Sequence, residues 1–227
     1  KSRNRPNLVD KNLYIYYNVY MKKSKVMWDQ KYDRITAVFL EKKRYVKTGE
    51  LLQGRIHQRD IKMLLEEGVL IKIKNGLYRN VEAPLISNQG FVDVALSIQD
   101  GVICLLSALA FYELTTFNPT FISVAVPRGT WKPKIEYPPV EVYYFSGEQF
   151  EAGIEQVPIE NFNIRIYSPE KTICDCFRYR NKLGLDIARE GLMEYLKKKE
   201  RSLEKLLHYA EICRVKSLIQ TWLNALV

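Results

Sequence analysis

The stretch "TGELLQGRIHQRDIKMLLEEGVLIKIKNGLYRN", residues 48–80, decides the fold class. Thr48 can cap a short helix running through about Gln53. Gly54 permits a tight turn, and a second helix follows from about His57 to Glu67, stopped by Gly68 as C′ glycines stop helices. At 100° per residue, Ile61, Leu64 and Leu65 share one face and form the core side, while Arg59, Lys62 and Met63 lie on the other. Asn75-Gly76 then reads as a two-residue type I′ hairpin turn, which needs positive φ at both centres. That turn pairs Ile73 with Tyr78 and Lys72 with Arg79. Ile71, Ile73 and Tyr78 would face the core, and Lys72, Lys74 and Arg79 would form a basic wing.

Working outward, Ile35, Val38 and Phe39 sit at the spacing of one buried stripe and predict a helix from about Asp33 to Lys43. Helix, short helix, turn, helix and ribbon make a winged helix-turn-helix over residues 31–82. The N-terminal part of a recognition helix meets base edges in the major groove. On that geometry Arg55, His57, Gln58, Arg59 and Lys62 approach bases of double-stranded DNA. Lys47, Thr48, Lys72, Lys74 and Arg79 hold its phosphates. Two plainer readings stay open: a merely solvated basic face, and a winged helix used as an RNA- or protein-docking surface. Residues 1–30 read as a basic, aromatic N-terminal arm.

Charge placement supports a polyanion partner. Of 227 residues carrying a net charge of +9, residues 1–82 hold 19 Lys/Arg against 9 Asp/Glu, a balance of +10; residues 83–227 hold 16 against 17, a balance of −1. Basicity confined to one third of a chain points to nucleic acid or an anionic surface. The longest apolar run, "GVICLLSALAFY" (101–112), is too short to span a bilayer, and the basic start shows no secretory signal. A cytoplasmic protein without membrane contact is expected.

After a linker at 83–90, residues 91–227 predict a mixed α/β domain ending in a helical segment. "FVDVALSIQDGVICLLSALAFYEL" (91–114) reads as helical. "FISVAVP" (121–127), "VEVYYFS" (140–146) and "FNIRIYS" (162–168) read as strands. Ser168-Pro169-Glu170 opens a helix with a Ser cap, Pro at N1 and a first-turn acid. Helices near 185–199, 202–213 and 216–226 close the chain. The fold class is thus α+β.

Catalytic patterns are missing from this sequence. It has no G-x-S-x-G, no P-loop and no H-E-x-x-H, and its only histidines are His57 and His208. Cys174 and Cys176 form C-x-C rather than a zinc-type C-x-x-C, so Cys104, Cys174, Cys176 and Cys213 read as buried, reduced thiols. Asp175 is the one carboxylate in a suggestive setting for a nuclease. The plainer reading is an Asp on the exposed edge of an amphipathic helix. Ser107 reads as a helix residue bonded to its own backbone. Arg128, Lys132 and Lys134, with Tyr137, Tyr143 and Tyr144, are a candidate RNA or effector surface, or else a solvated loop beside a strand. No enzyme, cofactor or metal is expected.

Four segments in order, "LLEEGVLIKIKNGLYRN", "GVICLLSALAFYELTTFNPTFISVAVPRG", "IRIYSPEKTICDCF" and "LEKLLHYAEICRV", resemble the AbiEi family over about residues 31–215. These are antitoxins of bacterial abortive-infection (type IV toxin–antitoxin) phage-defence systems. The resemblance implies an N-terminal winged helix that binds inverted repeats upstream of its own operon and represses it; dimeric or cooperative binding is expected because one winged helix reads too few bases for specificity. It also implies a C-terminal domain that counters a nucleotidyltransferase-like toxin without forming a stable complex with it.

Overall fold

The computed structural model describes residues 43–226, an α+β chain with ten helices and two sheets among those residues. The N-terminal arm and the helix expected over 33–43 lie outside them, apart from Lys43. The chain divides into two compact units at Leu85–Ile86.

In the first unit, β1 (Tyr45–Lys47) leads directly into α1 (Thr48–Gln53), followed by α2 (Gln58–Glu66), β2 (Leu70–Lys74) and β3 (Leu77–Asn80). The sheet order is β1-β3-β2, all antiparallel, so β3 is central. Val46, Leu51, Ile61, Leu64 and Leu70 fill its core, with Leu65 packed against them. β1 was not expected from the sequence; its three residues are too few for a visible alternation. It also moves the cap of α1. Lys47, not Thr48, is the N-cap residue, and Glu50 accepts from its backbone N–H at 2.8 Å and from Lys43 Nζ at 2.6 Å. These bonds hold the Glu50 carboxyl below the ordinary range, the Lys43 bond most.

The two helices end alike. Ile56 N–H donates to Leu51 O at 2.9 Å, and Val69 N–H to Leu64 O at 2.9 Å, the six-to-one bond of a Schellman motif. The left-handed residue is Gly68 (φ +71°) after α2 but Arg55 (φ +63°) after α1. Gly54 itself has φ −75° and does not supply the turn's left-handed position. In each case the next residue, Ile56 or Val69, is buried and locks the exit.

The hairpin departs from its expected register. Gly76 has φ +80°, but Asn75 is not left-handed, so the turn is not type I′. The ladder skips Ile73: Lys74 pairs with Leu77, Lys72 with Tyr78 and Ile71 with Arg79. This is a bulged turn with glycine in the left-handed position. Tyr78 keeps its core position, but Arg79, on the central strand with a neighbour on each side, is only 4% exposed. Lys72 and Lys74 are half-buried, so the hairpin presents two of its three expected basic residues, each in part.

The second unit is built on a mixed five-stranded sheet of order β6-β5-β4-β8-β7. Its strands are β4 (Val102–Ile103), β5 (Ile122–Pro127), β6 (Val140–Phe145), β7 (Ile154–Ile159) and β8 (Phe162–Tyr167). β4 is the middle strand, and it interrupts the helical stretch expected over 91–114, leaving α3 (Gln89–Ser97) and α4 (Leu105–Phe111). The chain leaves the helix at Ile98 and passes Gly101, where a side chain has no room: a Cβ there would lie 2.9 Å from Ile98 Cγ2 and 3.0 Å from Val124 Cγ1. β7 was also unforeseen. It forms one rim, pairs with β8 and carries Pro158, with Glu155 and Gln156 exposed.

Short α5 (Glu148–Glu151) precedes β7. The chain then runs through α6 (Pro169–Arg178), α7 (Arg180–Leu183), α8 (Leu185–Lys197), α9 (Leu203–Ile212) and α10 (Lys216–Leu226). Ser168 caps α6 by accepting from Lys171 N–H at 3.3 Å. Ser107 does not bond back along its own helix. Its Oγ accepts from Ser123 N–H at 2.8 Å and so ties α4 to β5.

Glu190 on α8 fastens the loop that follows α4. Its carboxylate accepts from Thr116 N–H and Oγ1, both at 2.7 Å, and from Thr115 Oγ1 at 2.8 Å. The Thr116 amide, above all, holds the Glu190 carboxyl below its ordinary value of 4.5. Because the folded state lowers this value, the tie stabilises fully above 4.5 and is lost as pH falls through the lowered value. Glu190→Gln is expected to cost about 1 kcal/mol at neutral pH, after allowance for solvent screening. The gap from wild type should close in acid, as urea unfolding at several pH values would show.

Candidate nucleic-acid interface

The residues picked out for DNA contact fall into three groups. Lys47, Arg55, His57, Gln58, Arg59 and Lys62 are exposed. Thr48, Lys72 and Lys74 are half-buried, and Arg79 is buried. Arg79 is therefore withdrawn from the phosphate-contacting set, because β3 is flanked by β1 and β2.

α2 positions its polar side through its packing. Ile61 and Leu64 are buried beneath it, which turns Arg59 and Lys62 outward. His57 is the N-cap, and its backbone N–H donates to Asp60 Oδ2 at 2.9 Å, so its ring is not needed to start the helix. Lys62 has a loose partner in Glu66 at 3.7 Å, an exposed pair of small worth.

Between α2 and the hairpin lies a recess of about 330 Å³. It gathers Thr48, Gln58, Lys62 and Lys72 from the predicted set, with Ile61, Leu65 and Tyr78 as apolar wall. Thr48 is fixed there because its N–H donates to Gly76 O at 3.0 Å, joining the start of α1 to the hairpin tip. Asn75 also lines the recess and was missed as a contact; its position at the tip of the Asn-Gly turn was the available signal. Two ammonium groups, an amide and a hydroxyl around one shallow recess can hold a phosphate with its sugar.

Arg55 owes its position to an unfavourable backbone. A left-handed non-glycine residue costs about 1–2 kcal/mol, part of which glycine would return as chain entropy. Glu113 (φ +57°) and Arg214 (φ +58°) hold the same place after α4 and α9, so the conformation alone is no mark of function. Arg55→Gly is expected to leave stability unchanged or raise it by up to about 1 kcal/mol while weakening DNA binding. A drop in both would mean that the Arg55 side chain supports the fold.

In the second unit, Arg128, Lys132 and Lys134 are exposed, as is Tyr144 at 42%. Tyr143 is not: it is buried, its hydroxyl donates to Glu141 Oε2 at 2.7 Å, and Lys182 Nζ sits 4.2 Å from its ring centre. Tyr143 leaves the candidate surface. Trp131, 93% exposed in the same loop, was overlooked. A tryptophan between Gly129 and Pro133 in a basic loop was the signal.

Asp175 is fully buried rather than on an exposed helix edge, and so is Lys171, 2.6 Å away. The pair is enclosed. Lys171 Nζ lies 4.3 Å from the Tyr167 ring centre and 5.1 Å from that of Phe145. Asp175 Oδ1 accepts from Cys213 Sγ at 3.3 Å and Gln149 Nε2 at 3.4 Å. Burial pushes the Asp175 carboxyl up, and Lys171 pulls it partly back. Burial also pushes all four thiols up, which disfavours the thiolate needed for chemistry. The four cysteines are free and buried, and among the described residues no group of His, Cys, Asp or Glu could hold a metal ion. With no exposed atom, Asp175 cannot reach a substrate in this conformation. Among the described residues no helix is long and apolar enough to cross a membrane.

Among solved structures, the chain is similar to the RV2827C protein from Mycobacterium tuberculosis. The TM-score is 0.54 at 13% identity, covering 87% of this chain and 82% of that one. At that identity the likeness concerns the fold alone. No protein-family model and no curated protein matches the chain.

Proposed function

We propose that the chain is an AbiEi-type antitoxin that represses its own operon. Residues 31–82 act as a winged helix-turn-helix on operator DNA. The observation that carries this reading is the exposed polar side of α2, with Gln58, Arg59 and Lys62, beside the recess shared with Thr48 and Lys72. The +10 balance of residues 1–82 supports it. Gln58, Arg59 and Lys62 approach bases, with Arg55 and His57 at the helix entry. Lys47, Thr48, Lys72 and Lys74 serve the phosphates. One such unit reads few base pairs, so two copies bind inverted repeats together. The C-terminal unit counters a nucleotidyltransferase-like toxin without a stable complex. The protein acts in the cytoplasm and needs no cofactor.

A gel-shift titration against the DNA upstream of the gene, with a scrambled duplex beside it at two salt concentrations, tests this. Preference for the upstream duplex, falling steeply with salt because counterion release then gains less entropy, is the expected result. Equal binding to both duplexes, or none, would overturn it in favour of an RNA or protein partner.

A further inference from the structure

β5 and β6 are parallel neighbours joined by residues 128–139. The loop is held at both ends. Arg128 N–H donates to Phe145 O at 2.7 Å, Thr130 N–H to Pro127 O at 3.1 Å, and Ile122 N–H to Pro139 O at 2.9 Å. Between these ties it presents Trp131 almost wholly to solvent. A large aromatic ring left in water on a tethered loop gives up burial worth about 2 kcal/mol or more elsewhere in a fold.

The neighbouring strand adds a second ring. Along β6, Tyr143 and Phe145 point into the core, so Tyr144 points to the other face, where it is half-exposed. It is in register with Val126, two residues before Arg128. Arg128, Lys132 and Lys134 are exposed in the same loop, and no ion pair to any of them is found among the described residues. The loop has a single acidic residue, Glu136, although residues 83–227 as a whole are slightly acidic.

We propose that this loop binds single-stranded nucleic acid, stacking bases on Trp131 and Tyr144 and holding phosphates with Arg128, Lys132 and Lys134. Such surfaces combine ring faces with a basic track and need unstacked bases, which a duplex does not offer. A membrane surface fits less well, because Trp131 is the one large hydrophobic side chain exposed in the loop, too little apolar area to insert. The inference does not depend on the operator-binding reading of the first unit.

The test uses the full chain and labelled oligouridine and oligothymidine of about twelve nucleotides, within the site size of such surfaces. A duplex of equal length and anionic phosphatidylserine vesicles are the controls. Both single strands should bind better than the duplex and quench tryptophan fluorescence. Trp131→Ala should weaken them about 5- to 150-fold with its melting temperature unchanged, and Trp131→Phe should retain most of the affinity. Lys132→Gln with Lys134→Gln should flatten the salt slope by about 1.4. Arg59→Ala should change none of this, which separates the loop from α2. A stronger response to one strand would say whether RNA or DNA is preferred, and either supports the proposal. Failure of both strands to bind, equal binding by wild type and Trp131→Ala, loss of binding in Arg59→Ala, or a response to vesicles alone would overturn it.

Discussion

Lys171→Met is expected to lower the unfolding free energy by about 3–5 kcal/mol, the cost of leaving one partner of a buried ion pair alone. Methionine keeps the unbranched stem, so the contact with Gly153, where a Cβ would come within 2.8 Å of Lys171 Cβ, is undisturbed. What is lost is the ammonium group at 2.6 Å from Asp175 and against two aromatic rings. Asp175 would keep only a thiol and an amide as partners. Its carboxyl, already pushed up by burial, would bind a proton more tightly folded than unfolded. The stability of the variant should therefore fall as pH rises from the ordinary carboxylate value of 3.8 through the raised one. Removing both charges, as Lys171→Met with Asp175→Leu, should recover much of the loss. Urea unfolding of the two single variants and the pair would decide this. A single-variant loss under about 1 kcal/mol would mean that water reaches Asp175.

Arg59→Ala is expected to weaken binding to the upstream operator by about 1–3 kcal/mol, concentrated at one base position. Arg59 is exposed in the first turn of α2, and no hydrogen bond or ion pair of its side chain is found among the described residues. Its removal should leave the melting temperature unaltered. Lys47→Ala should instead weaken operator and scrambled DNA alike and reduce the salt slope by about 1. Titration of both variants against operators substituted one base pair at a time separates the two roles. Equal losses on every duplex for both variants would show that α2 does not read sequence.

Much of the fold was legible because its signals are local. The Ser168 cap with Pro169 marked the start of α6, and the apolar run of β5, the β-branched and aromatic run of β6 and the alternation of β8 marked those strands. The errors arose where partners distant in sequence decide. β4 has two residues, and only its neighbours β5 and β8 make it a strand. The hairpin register turned on whether Asn75 joined Gly76 in a left-handed conformation, which the dipeptide alone does not determine. Asp175 looked like a surface residue because it is charged. The spacing of four to Lys171 was the overlooked clue, since that spacing lets one helix carry its own ion pair inward. At the candidate interface, the polar side of α2 followed from periodicity alone. The fate of Arg79 did not, because it depends on β3 being the central strand.

The rim formed by β7 bears on how the protein behaves when crowded. An unpaired strand edge is a template for a strand from another molecule, and chains that expose flat apolar edges tend to join into fibres. β7 presents Glu155 and Gln156 to solvent and places Pro158, which has no N–H to donate, near its end. A would-be neighbour meets a charge and a gap in the ladder. This rim is thereby guarded against runaway strand addition, which favours a sheet that stays five strands wide at high protein concentration.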